Sequence, residues 1–258
     1  MASGLMPGSI TVNNSTWKYT LTGGGIDGTT GITKTGDFDL DLGGTNTYTG
    51  PVSISDGIVK ITTATALGST AAGTTVSGSG TLDLGGGFAV DALNIQGEQI
   101  TISGDGVLGF GAIINSGATQ QQNALASVTL AGNASIGGVS RFDIRGTASV
   151  LDLAGYKLTK VGSNLVYGTV DGTVTSGDID VNVGTLGIWN GTVQGTGTLR
   201  ANTGGTLELS AIAAGKVTRP VTLNGGTLSS TSAATIDSNV TYTSASSINT
   251  TADFNLIG

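Results

Sequence analysis

Gly184-Thr185-Leu186, Gly205-Thr206-Leu207 and Gly226-Thr227-Leu228 are three copies of one tripeptide, and each copy begins 21 residues after the one before it. Two further copies begin at Gly80 and Gly197. Self-similarity at a fixed period of this size indicates a repeat architecture, in which one short structural unit is stacked many times. The repeat is therefore the first constraint on the fold.

Strands of only three to six residues are predicted between these repeats. The apolar residues Ile179, Val181 and Val183 are expected to face inward, because they alternate with the polar residues Asp178, Asp180 and Asn182. Gly, Asn-Gly or Asp-Gly turn signals separate segments of this kind. A unit that holds two or three such strands suits one turn of a β-solenoid, whose turns stack about 4.8 Å apart. The sequence predicts an all-β parallel β-helix of about 12 coils, roughly 55–60 Å long. A β-sandwich is the main alternative.

The composition agrees with stacked strands. The chain has 258 residues, of which 45 are Gly and 3 are Pro, and charged residues make up only 10%, against about 25% in ordinary soluble domains. Thr, Ser and Asn replace the missing charge, and Thr, Val and Ile favour strands. We expect Thr and Asn to form outward ladders that cover the surface with little charge.

Several classes of function are excluded by the residues that the chain lacks. It has no Cys and no His, which rules out zinc sites, Cys nucleophiles and Ser–His–Asp triads. A net charge of −7 argues against a nucleic-acid partner. No apolar run is long enough for a membrane-spanning helix, and the Gly-rich stretches are not followed by a phosphate-binding helix. No cofactor is expected.

The domain organisation is predicted to be one β-helix domain over residues 1–258. Residues 116–125 include Gln120-Gln121-Gln122-Asn123 and lack apolar alternation, so a loop or short helical turn is expected to project there. Residues 229–251 are rich in Ser and Thr but are expected to continue the coils. The chain ends in mid-repeat and begins without a secretory leader, which favours a fragment of a longer chain.

Residues 20–86 contain five segments of a recurring kind: Leu21-Thr22-Gly23-Gly24-Gly25, Thr33-Lys34-Thr35-Gly36, Gly44-Thr45-Asn46-Thr47-Tyr48-Thr49-Gly50, Ala66-Leu67-Gly68-Ser69 and Gly80-Thr81-Leu82-Asp83-Leu84. Together these segments resemble the autotransporter-associated β-strand repeat of bacterial surface proteins. The resemblance implies a right-handed parallel β-helix (β-solenoid) that is exported to the cell surface or beyond, and it implies no catalytic residues. Segments 155–160 and 218–226 are weaker relatives.

Acidic residues offer two clusters for carboxylate chemistry. Asp37, Asp39 and Asp41 alternate with apolar residues, as do Asp178 and Asp180, and carboxylates two apart on a strand lie about 6.6–6.8 Å apart. That separation is near the spacing of glycosidase acids, and the first cluster could instead hold a calcium ion. We favour a solvated strand face at both places, because alternation requires a polar residue there.

Arg141, Asp143 and Arg145 are expected to share one strand face. They could grip an anionic sugar, but surface ion pairs are the favoured interpretation. The aromatic residues that could stack on sugars show no regular spacing, and in solenoids such residues more often fill corners or cap coils. They are Trp17, Trp189, Tyr19, Tyr48, Tyr156, Tyr167 and Tyr242.

The sequence thus predicts a non-catalytic structural or adhesive module, a rigid stalk or fibre segment of an exported bacterial protein at the cell surface or outside the cell. Its expected partners are further copies of itself, joined end to end or side by side, or surface glycans and host proteins. The alternative is a carbohydrate-active β-helix of the polysaccharide lyase or phage depolymerase type. That alternative requires a groove lined with acids and bases.

Overall fold

The computed structural model describes residues 4–146 and 148–257, which form a β-solenoid of about 12 turns. One 3₁₀ turn, Val107–Gly109, accompanies the strands. In chain order the strands are β1 (Thr11–Asn13), β2 (Tyr19–Leu21), β3 (Ile32–Thr35), β4 (Leu40–Leu42), β5 (Val52–Ile61), β6 (Thr74–Asp83), β7 (Ile100–Gly104), β8 (Ile113–Asn115), β9 (Gln121–Leu125), β10 (Ser127–Gly138), β11 (Phe142–Arg145), β12 (Val150–Asp152), β13 (Lys157–Lys160), β14 (Leu165–Val170), β15 (Thr173–Val174), β16 (Asp178–Val181), β17 (Gly184–Trp189), β18 (Thr192–Val193), β19 (Leu199–Asn202), β20 (Gly205–Ser210), β21 (Val221–Asn224), β22 (Thr227–Ser230), β23 (Ala234–Ile236), β24 (Val240–Ser244), β25 (Ser247–Thr250) and β26 (Phe254–Leu256).

The strands stack in parallel on three faces. Strands β5, β6 and β10 are long enough to run from face 1 into face 2, which joins these two faces into one 17-stranded sheet. Strands β23 and β26 pair separately near the C-terminus. Face 1 also contains β1, β3, β7, β12, β15 and β18; face 2 also contains β2, β4, β8, β13, β16, β19, β21 and β24; face 3 contains β9, β11, β14, β17, β20, β22 and β25.

The register places the repeated tripeptides directly above one another. Thr185 pairs with Thr206, which pairs with Thr227 in the next turn. One sequence repeat is therefore one turn of the solenoid, and the predicted fold class is confirmed. The right-handed sense of winding stays a prediction, in line with the strong preference of parallel crossovers for that hand.

One continuous hydrophobic core runs along the axis, from Val12 near one end to Ile236 near the other. Leu186, Leu207 and Leu228 stack in one inward column of face 3, and all three are fully buried. Because each turn buries its aliphatic side chains against the turns before and after it, the core gains area with every added turn.

Outward positions form polar ladders, as the composition predicts. Asn202 donates to the side-chain oxygen of Asn182 (2.8 Å), and Asn224 donates to that of Asn202 (3.0 Å). A column of Thr and Ser side chains on face 1 also covers the surface with uncharged polar groups. Its members, paired turn by turn, are Thr11, Thr33, Ser53, Thr75, Thr101 and Thr129.

The expected loop over residues 116–125 is wrong for its second half. Residues 116–120 connect two strands, but Gln121–Leu125 is strand β9 and begins face 3. Gln121 is buried because its amide side chain accepts from Leu93 N (2.9 Å) and donates to Ala89 O (2.9 Å). A polar side chain there satisfies the backbone of the neighbouring turn, so the missing apolar alternation does not signal a loop.

Two other expectations have opposite outcomes. Strands β22 to β25 cover most of residues 229–251, which confirms that the coils continue through this Ser- and Thr-rich segment. Val183, expected to face inward after Ile179 and Val181, is 44% exposed. Strand β16 ends at Val181 and the chain turns there, so the alternation no longer points Val183 at the core.

Candidate ligand-binding cleft

A cleft of about 390 Å³ opens on face 3, across the turns that contain β11, β14 and β17. Its size lies within the usual range for small-molecule sites. It combines two guanidinium groups, two aromatic rings and one carboxylate. The lining residues are Arg141, Arg145, Tyr167, Val170, Asp171 and Trp189.

The floor of the cleft follows from the register of three successive strands. Arg145 pairs with Val170, which pairs with Trp189, so the three side chains occupy one outward column. Val170 is short, whereas the side chains on either side of it are long. Two strand spacings, about 9.6 Å, separate the two long residues and leave room above Val170.

A buried ion cluster supports one wall. Arg141 donates through Nε and Nη2 to both oxygens of Asp143 (2.8 and 2.7 Å), and Arg145 donates through Nη2 to Asp143 Oδ2 (2.8 Å). The expected same-face trio is therefore present. Its description as surface ion pairs is wrong for Asp143, which is fully buried beneath the two guanidinium groups.

The side chain of Tyr167 forms the second wall of the cleft. It lies along face 3 and does not project straight out from it. Its hydroxyl donates to Glu208 Oε1 (2.7 Å), which lies two turns further along. Gly187, in the turn between them, makes this possible, because a Cβ there would lie 2.4 Å from Tyr167 Cε1. Burial and the hydrogen bond to Glu208 raise the pKa of Tyr167 above its ordinary value, so the hydroxyl stays protonated.

The aromatic rings contact each other and one cation. The rings of Tyr167 and Trp189 meet edge to face at 6.3 Å, with an interplanar angle of 84°. The Arg141 guanidinium carbon lies 4.7 Å from the centre of the Tyr167 ring, within cation–π range. These contacts hold the walls in place before any ligand binds.

Unused polar groups remain at the cleft. Among the described residues, Arg145 Nε is buried and has no hydrogen-bond partner. Asp171 lies at the exposed rim and accepts from Asn190 Nδ2 (2.6 Å). The cleft therefore offers guanidinium donors at one end, an acceptor at the rim and an aromatic ring at the other end, which suits binding of a small polar ligand.

The first acidic cluster does not form as expected. Only Asp41 lies in a strand, β4, and its carboxylate pairs with Lys18 (2.8 Å). Asp37 lies in an exposed bend, and Phe38 is 43% exposed, so the predicted alternation begins only at Leu40. In residues 4–146 and 148–257, no group of three or more possible metal-ligating side chains comes together.

The second acidic cluster is an ion-paired strip on face 2. Asp178 and Asp180 share one outward face, and Arg200 in the next turn contacts both, at 3.6 and 3.1 Å. Lys157 in the preceding turn lies 3.7 Å from Asp180. The basic partners are contributed by adjacent turns, which agrees with the favoured interpretation of a solvated strand face.

The remaining aromatic residues lie apart from the cleft. Tyr48 is fully buried in the core, and its hydroxyl donates to Ala66 O (3.1 Å). Trp17, Tyr19, Tyr156 and Tyr242 are exposed on other turns. Of the seven aromatic candidates, the structure brings together Tyr167 and Trp189. No helix within the described ranges is long and apolar enough to cross a membrane.

Sequence reasoning missed the residues that shape the cleft from below and at its rim: Val170, Asp171, Gly187 and Glu208. The sequence does contain a signal for Gly187 and Glu208. Alignment of the 184 and 205 repeats places Gly187 over Glu208. Val170 carries no such signal, because β14 contains an irregularity between Tyr167 and Thr169 that shifts its register against both neighbours.

Comparisons with known proteins give one partial likeness. Over 82 residues, 32% of the chain, the sequence is 33% identical to the adhesin BmaC autotransporter of Brucella suis biovar 1 (strain 1330). The matched stretch is 2% of the length of that protein. No protein-family model matches the sequence, and no solved structure matches it. The likeness and the β-solenoid fit the general class of autotransporter-like surface proteins.

Proposed function

We propose that this chain is a rigid adhesive segment of an exported bacterial surface protein, built from repeats of the autotransporter-associated β-strand type. The observation that carries the proposal is the uninterrupted parallel stack, in which one core extends from Val12 to Ile236. Such a stack holds any surface site at a set distance along a stiff axis. The partial likeness to an autotransporter adhesin supports a surface location and an adhesive role.

Adhesion is tested directly with protein-coated beads. Beads that carry the β-solenoid are expected to bind host cells or immobilised extracellular matrix more than beads that carry an unrelated protein of similar net charge. Soluble β-solenoid added in excess should compete with the beads. Equal binding of both kinds of bead to every surface would contradict the adhesive role.

End-to-end association is a further part of the proposal. The first turns expose Leu5 and Met6, and the last turns expose Tyr242, Ile248 and Leu256. Strand edges and apolar ends of this kind favour pairing with another copy. Deletion of residues 229–258 should reduce assembly measured by light scattering, and unchanged assembly would count against the role of the last coil.

The non-catalytic character is also a proposal, and the carbohydrate-active alternative has a defined test. Asp143 is held by two arginines, and Tyr167 is held as a hydrogen-bond donor by Glu208. These groups are occupied in ion pairs and hydrogen bonds instead of being poised as acid or base. Incubation with acidic and neutral polysaccharides should release no new reducing ends and no unsaturated products. Either product would favour the enzyme.

A further inference from the structure

We infer that the cleft between Arg145 and Trp189 binds a carboxylated sugar residue, of the uronic or sialic acid type, within a surface glycan. This inference rests on the proposed adhesive function and names the ligand class of its contact site. The argument depends on three properties of the cleft: the donors at one end, the aromatic ring at the other, and the rim between them.

The donor end suits a carboxylate. Arg141 and Arg145 both pair with Asp143, so the guanidinium end of the cleft carries one positive charge more than its buried counter-ion. The carboxylates of Asp91, near Arg141, and Asp171 lie outside these pairs. Arg141 binds Asp143 through Nε and Nη2, so its Nη1–Nη2 edge is left for a two-point contact with a planar carboxylate. Arg145 uses Nη2 twice and its Nε is buried, so it can add a donor from Nη1, which makes no hydrogen bond to the described residues.

The opposite end suits a sugar ring. Trp189 is partly exposed, and Tyr167 braces it edge to face. Aromatic side chains present a flat apolar surface, and a pyranose ring carries an apolar C–H face that can pack on it. The roughly 9.6 Å between the Arg145 and Trp189 strands allows one monosaccharide to reach both ends above Val170.

The rim of the cleft determines how the bound sugar is oriented. Asp171 is an exposed carboxylate beside Val170, and Gln122 accepts from Arg145 Nη2 (3.3 Å) at the far side. A ligand carboxylate next to Asp171 would be repelled, whereas sugar hydroxyls there can donate to it. The anionic group must therefore lie at the arginine end and the hydroxyls at the rim. A neutral sugar lacks the anionic group, and a glucan sulfated at several positions of each ring would place anionic groups at the rim as well.

Matched glycan pairs test the ligand class with the intact chain. The probes are sialyl-lactose and lactose, oligogalacturonate and its methyl ester, and a sulfated glucan, all printed on one array with affinities measured by calorimetry. We expect a carboxylated member to bind and its uncharged partner to bind with about ten- to a hundredfold lower affinity, given the strength of charge-assisted hydrogen bonds. Equal binding to both members, preference for the sulfated glucan, or binding to none would overturn the inference.

Variants test the location. Arg145→Gln and Trp189→Ala should each weaken binding at least tenfold. Arg200→Gln, which removes an ion-paired arginine on face 2, is the matched control and should bind normally. Trp189→Phe, which keeps an aromatic surface, should retain more binding than Trp189→Ala. Unchanged affinity in Arg145→Gln and Trp189→Ala, with native circular dichroism, would place any binding elsewhere and overturn the site.

The two proposals fail in different ways. If bead adhesion persists unchanged in Arg145→Gln and the carboxylated glycan binds this variant as tightly as the wild type, the adhesive function stands and the sugar site is wrong. If the carboxylated glycan binds in the cleft but beads adhere to no cell or matrix surface, the sugar site stands and the adhesive function is wrong.

Discussion

At the scale of single residues, two buried lysines show how an inward position can hold a charge. Lys34 and Lys160 are fully buried and occupy columns otherwise filled by aliphatic residues such as Ile54 and Val181. Lys160 Nζ donates to the carbonyl oxygens of Val161 (2.6 Å) and Gly162 (2.8 Å). The ammonium group thus satisfies backbone acceptors where the chain turns a corner.

The buried lysine predicts a pH-dependent stability. Burial lowers the pKa of Lys160 to about 7, whereas an unfolded lysine titrates near 10.4. Between these values the unfolded chain binds more protons, so the free energy of unfolding should rise from about pH 7 towards pH 9.5. Urea unfolding of Lys160→Met should show a smaller slope in this window. Lys157→Met, at an exposed ion pair, should keep the wild-type slope; an unchanged slope in Lys160→Met would contradict the assignment.

Glu98 predicts the opposite pH trend. Its carboxylate is buried and accepts from Thr74 Oγ1 (2.7 Å), and burial raises its pKa. Above the unfolded pKa of about 4.3, the folded state binds more protons, so stability from this group falls as pH rises through the folded pKa. Glu98→Gln keeps the acceptor for Thr74 and should raise the urea midpoint at pH 7. The urea midpoints of the wild type and Glu98→Gln should converge by about pH 3.5, which is below the pKa of the carboxyl group in the unfolded chain. A difference that stays constant with pH would show that the charge of Glu98 does not cause the change in stability.

At the scale of strands, each inward residue is stabilised by residues of the same type on the paired strands of the turns before and after it. Leu207 on β20 is fully buried between Leu186 and Leu228. Leu207→Ala should lower the free energy of unfolding by about 2–5 kcal/mol, because it leaves a cavity in a packed column. Thr206→Ala removes an outward side chain from the same strand and should cost less than about 1 kcal/mol. Equal losses in chemical denaturation would contradict the assigned faces.

The neighbouring strand β17 predicts a coupling across the cleft wall. A methyl group at Gly187 collides with the Tyr167 ring, which the Glu208 hydrogen bond holds in place. Gly187→Ala should cost about 1–3 kcal/mol in the wild-type background. It should cost clearly less in a Tyr167→Ala background, where the ring is absent. A double-mutant cycle by urea denaturation measures this difference, and additive losses would show that the two residues do not interact.

At the scale of the whole molecule, the solenoid is a one-dimensional stack in which each turn contacts its nearest neighbours. Stability in such a stack is the sum of turn and interface contributions, and the outermost turns have a neighbour on one side. The N-terminal Val12 and the C-terminal Ile248 are accordingly more exposed than the central leucines, at 6% and 36%.

This arrangement predicts graded protection from hydrogen exchange. Amides in β17 and β20 should exchange more slowly than those in β1 and β25, although all lie in parallel ladders. Native-state exchange followed by mass spectrometry measures the gradient. Uniform protection from one end to the other would indicate a single cooperative unit and contradict nearest-neighbour stacking.

The architecture can be predicted from the amino-acid sequence. The 21-residue period and the inward aliphatic positions could be read directly, because stacking repeats a local pattern and each turn meets its own copy. The tertiary structure alone decided where polar residues go inward, as at Gln121 and Lys160, and where a cleft opens. Those outcomes depend on the register between turns and on an irregularity in β14, which bring Arg145, Val170 and Trp189 into one column. A one-residue shift in that register would move each side chain to the other face, so spacing along the chain could not reveal the site.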